Sequence, residues 1–157
     1  MSRNKLKGRK PPNSFYWIPK PVHRSADYRQ LSGNAVKLLN ALAYQFNGHN
    51  NGDLSATWSV MKTQHGFRSP TTLNHVRNEL LAANLIYVTR QGGMGMCNLY
   101  ALTWMPIDKC NGKLDYGPTI KTLRTGWNQT RVTAPRARRM NNTTVVEFAE
   151  RKRNLQR

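Results

Sequence analysis

The chain has 157 residues, enough for one compact domain with tails and too few for two full domains. Basic residues outnumber acidic ones by 25 to 7, and the formal net charge is +18. Hydrophobic residues make up 38% of the chain, below the roughly 45–50% of globular domains, so we expect a core in only part of it. The sequence contains no run of roughly 18 apolar residues, no apolar signal region and only two cysteines, which argues against membrane and disulfide-rich secreted classes. We therefore expect a cytoplasmic protein.

The positive charge is concentrated at the two ends of the chain. Residues 1–30 hold 8 basic and 1 acidic residue, and residues 106–157 hold 12 and 4. The middle, residues 31–105, holds only 5 and 2 and is richer in apolar residues. This pattern predicts a small folded domain with basic, partly disordered arms that a polyanion would neutralise. A nucleic acid and an anionic membrane surface are the two polyanions that fit.

We divide the chain into three parts. Residues 1–24 are a basic arm with an aromatic docking segment, residues 25–106 are the folded domain, and residues 107–157 are a basic extension. In the first part, the bulky cluster at residues 15–18 is expected to pack on the domain in extended form, and stacking on bases is the alternative. In the third part, we expect Leu123 and Trp127 to dock on the domain, and residues 142–156 are a candidate short helix.

Apolar periodicity predicts three helices. Ser32 is a suitable N-cap for a helix over residues 33–46, whose apolar residues form one stripe. A shorter helix is predicted over residues 56–65. Ser69 as N-cap and Pro70 at the first helical position begin a third helix over residues 70–83. The stripe of the first helix consists of Ala35, Leu38, Leu39, Leu42, Ala43 and Phe46, and that of the third consists of Leu73, Val76 and Leu80.

A β-hairpin is predicted after the third helix. Residues 85–90 are β-branched and aromatic, which favours a strand. Residues 91–96 form a glycine-rich turn, and residues 97–104 alternate as the returning strand before Pro106. Leu54 is expected in a very short extended piece. The fold class is therefore α+β, mainly α.

This order of elements is similar to that of the winged helix-turn-helix family, in particular to winged-helix domains of plasmid and phage replication initiators and of small bacterial regulators. The resemblance covers residues 30–104, nearly half of the chain. It is carried by LSGNAVKLLNAL, NNGDLSATWSVM, RSPTTLNHVRNELLAANLIYVTR and QGGMGMCNLYAL. The resemblance implies that the third helix is a recognition helix and that the hairpin is the wing.

The resemblance also implies a set of DNA contacts. The third helix would enter the major groove by the face opposite its apolar stripe, because that groove admits one α-helix. The residues expected to reach base edges are Thr71, Asn74, His75 and Asn78. Expected phosphate contacts are Lys62, Arg68, Ser69, Arg90 and Gln91. The arms are expected to add affinity through Lys5, Lys7, Arg9, Lys10, Arg136, Arg138 and Arg139. Each of these residues has an ordinary alternative as a solvated surface side chain.

No enzymatic motif is present in the sequence, so we expect a protein that is not an enzyme and needs no cofactor or metal. Neither a phosphate-binding glycine loop before a helix nor a zinc motif occurs. We expect a sequence-specific double-stranded DNA-binding protein, most simply a transcriptional regulator of a phage, plasmid or bacterial host. A replication or partition factor is the alternative within that class, and an RNA-binding ribonucleoprotein component is the alternative from another class. Binding to DNA would make the protein nucleoid-associated, and we expect no membrane partner. A homodimer is compatible with the sequence.

Overall fold

The computed structural model describes residues 16–115 and 117–127. Within them the fold is α+β, with five α-helices and one three-stranded antiparallel sheet. The helices are α1 (Lys20–Arg24), α2 (Ala26–Arg29), α3 (Gly33–Gln45), α4 (Trp58–Thr63) and α5 (Pro70–Ala82). The strands are β1 (Leu54–Ser55), β2 (Ile86–Arg90) and β3 (Leu99–Leu102), and a single 3-10 turn follows at Cys110–Gly112.

The long helix α3 confirms the predicted helix over 33–46. The hydroxyl of Ser32 accepts a hydrogen bond from the Ala35 amide at 3.2 Å, which satisfies one of the free donors at the helix start. Its apolar stripe is buried except for Phe46, which ends the helix as its C-cap and is half-buried. This stripe packs against α5 and forms the centre of the core.

The α4–α5 unit also follows the sequence. Helix α4 is shorter at both ends than the predicted 56–65, since it begins after Thr57 and ends at Gln64. Helix α5 begins as predicted, with Pro70 in its first turn and the Ser69 hydroxyl accepting from the Thr72 amide at 3.4 Å. Its inward residues are all buried: Leu73, Val76 and Leu80.

The sheet has the strand order β1-β3-β2, so β3 is the central strand. All four residues of β3 are buried. Ile86 pairs with Leu102 and Val88 with Tyr100, and a register irregularity follows between Val88 and Arg90. The predicted hairpin and the short extended piece at Leu54 are confirmed. The returning strand is shorter than the predicted 97–104.

The predicted number of three helices is wrong, because α1 and α2 precede α3. Residues 16–19 carry no regular secondary structure, and Pro19 and Pro21 lie at the start of α1. Proline at a first helical turn loses no hydrogen bond, so it allows a helix to begin there. The Ser25 hydroxyl caps α2 by accepting from the Tyr28 amide at 3.2 Å.

Residues 106–127 lie along the folded body. The buried side chain of Asn51 accepts from the Leu102 amide at 2.7 Å and donates to the Pro106 carbonyl at 2.8 Å. Arg124 forms an ion pair with Asp27 and donates to the Ala83 carbonyl at 2.8 Å.

The expected docking of Trp127 is confirmed, and the expected docking of Leu123 is consistent with its half-buried position. The Trp127 ring stands 6.4 Å from that of Trp104 and 4.0 Å from the Arg124 guanidinium. The candidate helix over 142–156 lies outside the described residues. Across the two described ranges, none of the helices has both the length and the apolar character required to cross a bilayer.

Candidate nucleic-acid interface

The outward face of α5 carries the residues predicted to reach base edges. At 100° per residue they fall opposite the buried stripe of the helix. The side chains that share this exposed, uncharged face are Thr71, Asn74, His75, Asn78 and Ala82. Amide, hydroxyl and imidazole groups are therefore presented to solvent along about three helical turns, with a small alanine at the far end.

Glu79, the acidic residue of α5, is directed toward α3 rather than along the exposed face of its helix. Its carboxylate accepts from the Ser32 amide at 2.6 Å and from the Ser32 hydroxyl at 2.8 Å. The bonds stabilise the start of α3 and tie α5 to it, because a carboxylate is favourable at a helix N-terminus. As a result, the exposed face of α5 presents no carboxylate that would repel a phosphate backbone.

Two cations lie near the N-terminal end of α5. Arg68 is exposed directly before the Ser69 cap, and Lys62 is exposed in the last turn of α4. The cap uses the Ser69 oxygen as an acceptor, so its hydroxyl proton is free to serve a further acceptor. Since the start of a helix also attracts anions, this end of α5 is suited to a phosphate group.

The β2–β3 hairpin ends in an ordered glycine-rich tip. Gly93 and Met96 form an isolated antiparallel bridge, and their amides and carbonyls bond reciprocally at 3.1 Å. The Gly92 amide donates to the Asn98 side chain at 2.5 Å, and a Cβ at Gly92 would come within 2.8 Å of backbone atoms. Glycine is therefore required at position 92. The tip presents Met94 to solvent.

The two predicted phosphate contacts of the hairpin have different environments. Arg90 is half-buried, and its Nη2 donates to the Cys97 carbonyl at 3.1 Å across the hairpin. Its Nε is buried and has no hydrogen-bond partner among the described residues. Gln91 is exposed, and its backbone N–H donates to the Asp115 carboxylate at 2.8 Å. The Arg90 side chain therefore links the two sides of the hairpin, a contact that the sequence did not indicate.

A second surface joins Tyr16, from the bulky cluster at residues 15–18, with two residues that the sequence did not single out. The rings of Tyr16 and Tyr44 stand edge to face with centroids 6.4 Å apart, and Tyr44 stands at the same distance from His65. We call these three residues the aromatic patch. Tyr44 is 68% exposed and Tyr16 is 44% exposed. They border a cleft of about 770 Å³ between α3 and the end of α4. One feature of the sequence could have indicated this surface: Tyr44 is an aromatic residue that lies outside the apolar stripe of α3.

Cysteine and acidic side chains do not form a metal centre in the described ranges. No group of three or more His, Cys, Asp or Glu side chains there is arranged to hold an ion. Burial, together with the nearby carboxylates of Asp53 and Asp108, raises the pKa of the Cys110 thiol above its usual range. This thiol is therefore a weak nucleophile at neutral pH.

The seven predicted arm contacts lie outside the described residues, so the structure neither places them nor brings them together: Lys5, Lys7, Arg9, Lys10, Arg136, Arg138 and Arg139. Comparison of the chain with protein-family models, curated proteins and solved structures gave no match. Its own residues must therefore support any functional assignment.

Proposed function

We propose that the protein is a sequence-specific double-stranded DNA-binding protein that inserts α5 into the major groove. The observation that carries this proposal is the exposed face of α5, which is polar, free of charge and flanked by cations in a chain of net charge +18. The order α3, α4, α5 and β-hairpin supports the further proposal that residues 30–104 are a winged helix-turn-helix domain.

The chemistry of that face suits base edges. A major groove about 12 Å wide accepts one helix, and an asparagine side chain can bond to both N6 and N7 of adenine. Asn74 and Asn78 are one turn apart on the helix, so they would address neighbouring base pairs. The methyl group of Thr71 would contact a thymine methyl, and His75 would donate to or accept from a base edge.

Phosphate contacts would come from around the helix rather than from its exposed face. Lys62 lies in the last turn of α4, Arg68 lies just before α5, and Gln91 begins the glycine-rich tip of the hairpin. The hairpin backbone, with its glycines, would approach the sugar-phosphate ridge. Each neutralised phosphate releases counterions, so the logarithm of the binding constant is expected to fall by about 0.9 per contact per tenfold rise in salt.

We extend the proposal to transcription regulation in a phage, plasmid or bacterial host. A protein that binds one duplex site can regulate transcription by occupying DNA at a promoter. This role requires no catalytic group. Footprinting on the DNA around its own reading frame would test this. Protection overlapping a promoter supports regulation, whereas protection only at an origin or a partition site would replace that role with replication or partition.

The binding mode is tested by site selection from random duplexes, followed by a gel shift at about 150 mM salt with the full chain. Asn74→Ala and Asn78→Ala are each expected to cost about 1–3 kcal/mol on the selected site. Binding to unrelated duplex should change little. Asn34→Ala is the matched control, since Asn34 is an exposed asparagine on α3.

Two results would overturn the proposal. One is an equal loss of selected and unrelated duplex binding in the Asn74 and Asn78 variants, which would show that α5 reads no bases. The other is stronger competition by structured RNA than by the selected duplex, which would favour the RNA-binding alternative.

A further inference from the structure

The aromatic patch exposes rings that the fold does not use. The outward side of Tyr44 points away from the α3 stripe, and Tyr16 precedes the first helix without entering the core. Exposing large aromatic rings to water is unfavourable, at roughly 25 cal/mol per Å² of apolar surface. The described residues cover these rings only in part, so the patch offers apolar surface to a ligand with flat apolar faces.

The cleft beside the patch combines stacking surfaces with hydrogen-bonding groups. The rings of Tyr16 and Tyr44 are perpendicular, at an interplanar angle of 89°, and both remain partly exposed, so the patch has ring surface for a third planar group. The amide side chains of Asn40 and Gln64 line the same cleft. Amides can both donate to and accept from the edge of an unpaired base.

The electrostatics of the cleft favour an anionic polymer. Lys37 lines it, and its ammonium group is held in place by the Gly66 carbonyl at 3.1 Å and by the Phe67 ring at 5.2 Å. One of its three donors is used, so two remain for a phosphate. The residues that line the cleft include no aspartate or glutamate.

The cleft and the exposed face of α5 are formed by the outward faces of two different helices. The buried stripes of α3 and α5 pack against each other. The side chains of Lys37, Asn40 and Tyr44 leave α3 opposite its stripe, just as Asn74 and Asn78 leave α5 opposite its own. The two surfaces adjoin where α4 ends, since Gln64 and His65 line the cleft while Lys62 and Arg68 flank α5. Residues that belong to one surface alone, Tyr44 on one side and the two asparagines on the other, therefore separate the two sites.

We propose that this cleft is a second binding site, in which Tyr16 and Tyr44 stack on unpaired bases of single-stranded DNA. Stacking on aromatic rings with a cation on the backbone is the usual chemistry of single-strand binding. A protein partner fits less well, because lysine and two amides interrupt the apolar surface. The choice of DNA over RNA rests on the proposed function. That function requires duplex DNA, because the major groove of A-form RNA does not admit a helix.

The test uses the full chain and fluorescence anisotropy of a labelled oligothymidylate of roughly 12 nucleotides, a length within the usual range of single-strand sites. Tyr44→Ala is expected to weaken binding roughly 5- to 150-fold, the factor of one base–ring stack. Tyr44→Phe keeps the ring and is expected to bind within about twofold of the unmodified chain. Ile120→Ala is the control, because Ile120 is a fully exposed apolar residue outside the patch.

Reciprocal effects of two sets of variants distinguish this inference from the proposed function. Asn74→Ala with Asn78→Ala should weaken the selected duplex and spare the oligothymidylate, and Tyr44→Ala should do the reverse. Single-strand binding that depends on Tyr44 while no duplex is selected would sink the duplex proposal alone. Oligothymidylate binding unchanged in Tyr44→Ala, or a tighter complex with oligouridylate, would overturn the single-stranded DNA site.

Discussion

Two regions of the molecule are held together by different means. Residues 33–102 form a body whose helices and central strand bury periodic apolar side chains. Residues 16–30 and 106–127 flank that body. They bury Val22 and Ile107, and they also attach through polar contacts that involve Asn51, Asp108 and Arg124. Apolar stripes tolerate exchange of similar residues, whereas a buried polar contact depends on one particular side chain. The body is therefore robust in sequence, and the polar contacts of the flanks depend on single residues.

Leu39→Ala should have the largest effect on stability, because Leu39 is fully buried in the α3 stripe. We expect the free energy of unfolding to fall by about 2–5 kcal/mol, from lost burial and the cavity left behind. Urea unfolding followed by circular dichroism measures it. Leu39→Met nearly conserves volume and should cost less than about 1.5 kcal/mol. Equal losses in the two variants would contradict the view that the body tolerates exchange of similar residues.

Asn51→Ala should destabilise the junction between body and flank. It leaves the buried Leu102 amide without its 2.7 Å acceptor, and one such orphaned donor costs about 1–3 kcal/mol. The same urea measurement applies, with Asn34→Ala on the surface as control and an expected change within about 0.5 kcal/mol. If Asn51→Ala unfolds like the unmodified chain, the buried network does not hold the flank, and the comparison fails.

Asp27→Asn should produce the smallest loss. The variant keeps the side-chain shape and an acceptor for Arg124 but removes the negative charge of the ion pair. Charge-assisted hydrogen bonds are roughly twice as strong as neutral ones, so we expect a loss of about 1 kcal/mol. Stability at low and high salt gives a second reading, because the unmodified chain should lose part of this advantage in salt and the variant should not. The same salt dependence in both proteins would show that the charge contributes nothing.

The body was predictable because its information is local. The caps Ser32 and Ser69 and the apolar spacing fixed where α3 and α5 begin. The returning strand begins two residues later than predicted because the Asn98 side chain, rather than its backbone, bonds to Gly92 across the hairpin. The short helices α1 and α2 have no periodicity to detect, since four or five residues are barely one turn.

The candidate interface was predictable to the same extent. Periodicity alone identified the exposed side of α5, and Asn74 and Asn78 lie there. The inward turn of Arg90 depends on the Cys97 carbonyl across the hairpin, and the meeting of Tyr16 with Tyr44 joins segments 28 positions apart. Neither contact leaves a trace in local spacing. Whether these surfaces bind nucleic acid stays a prediction until the variants are measured.

The strand order β1-β3-β2 has a consequence for synthesis of the chain. The central strand is the last of the three to leave the ribosome, so Leu54 must wait 46 residues for its partner Tyr100. Until then, the neighbours on either side, β1 and β2, present unpaired edges to their surroundings. A nascent chain stalled before residue 99 would therefore be a target for chaperones and proteases. Once β3 is synthesised, it pairs with both β1 and β2 and removes these unpaired edges.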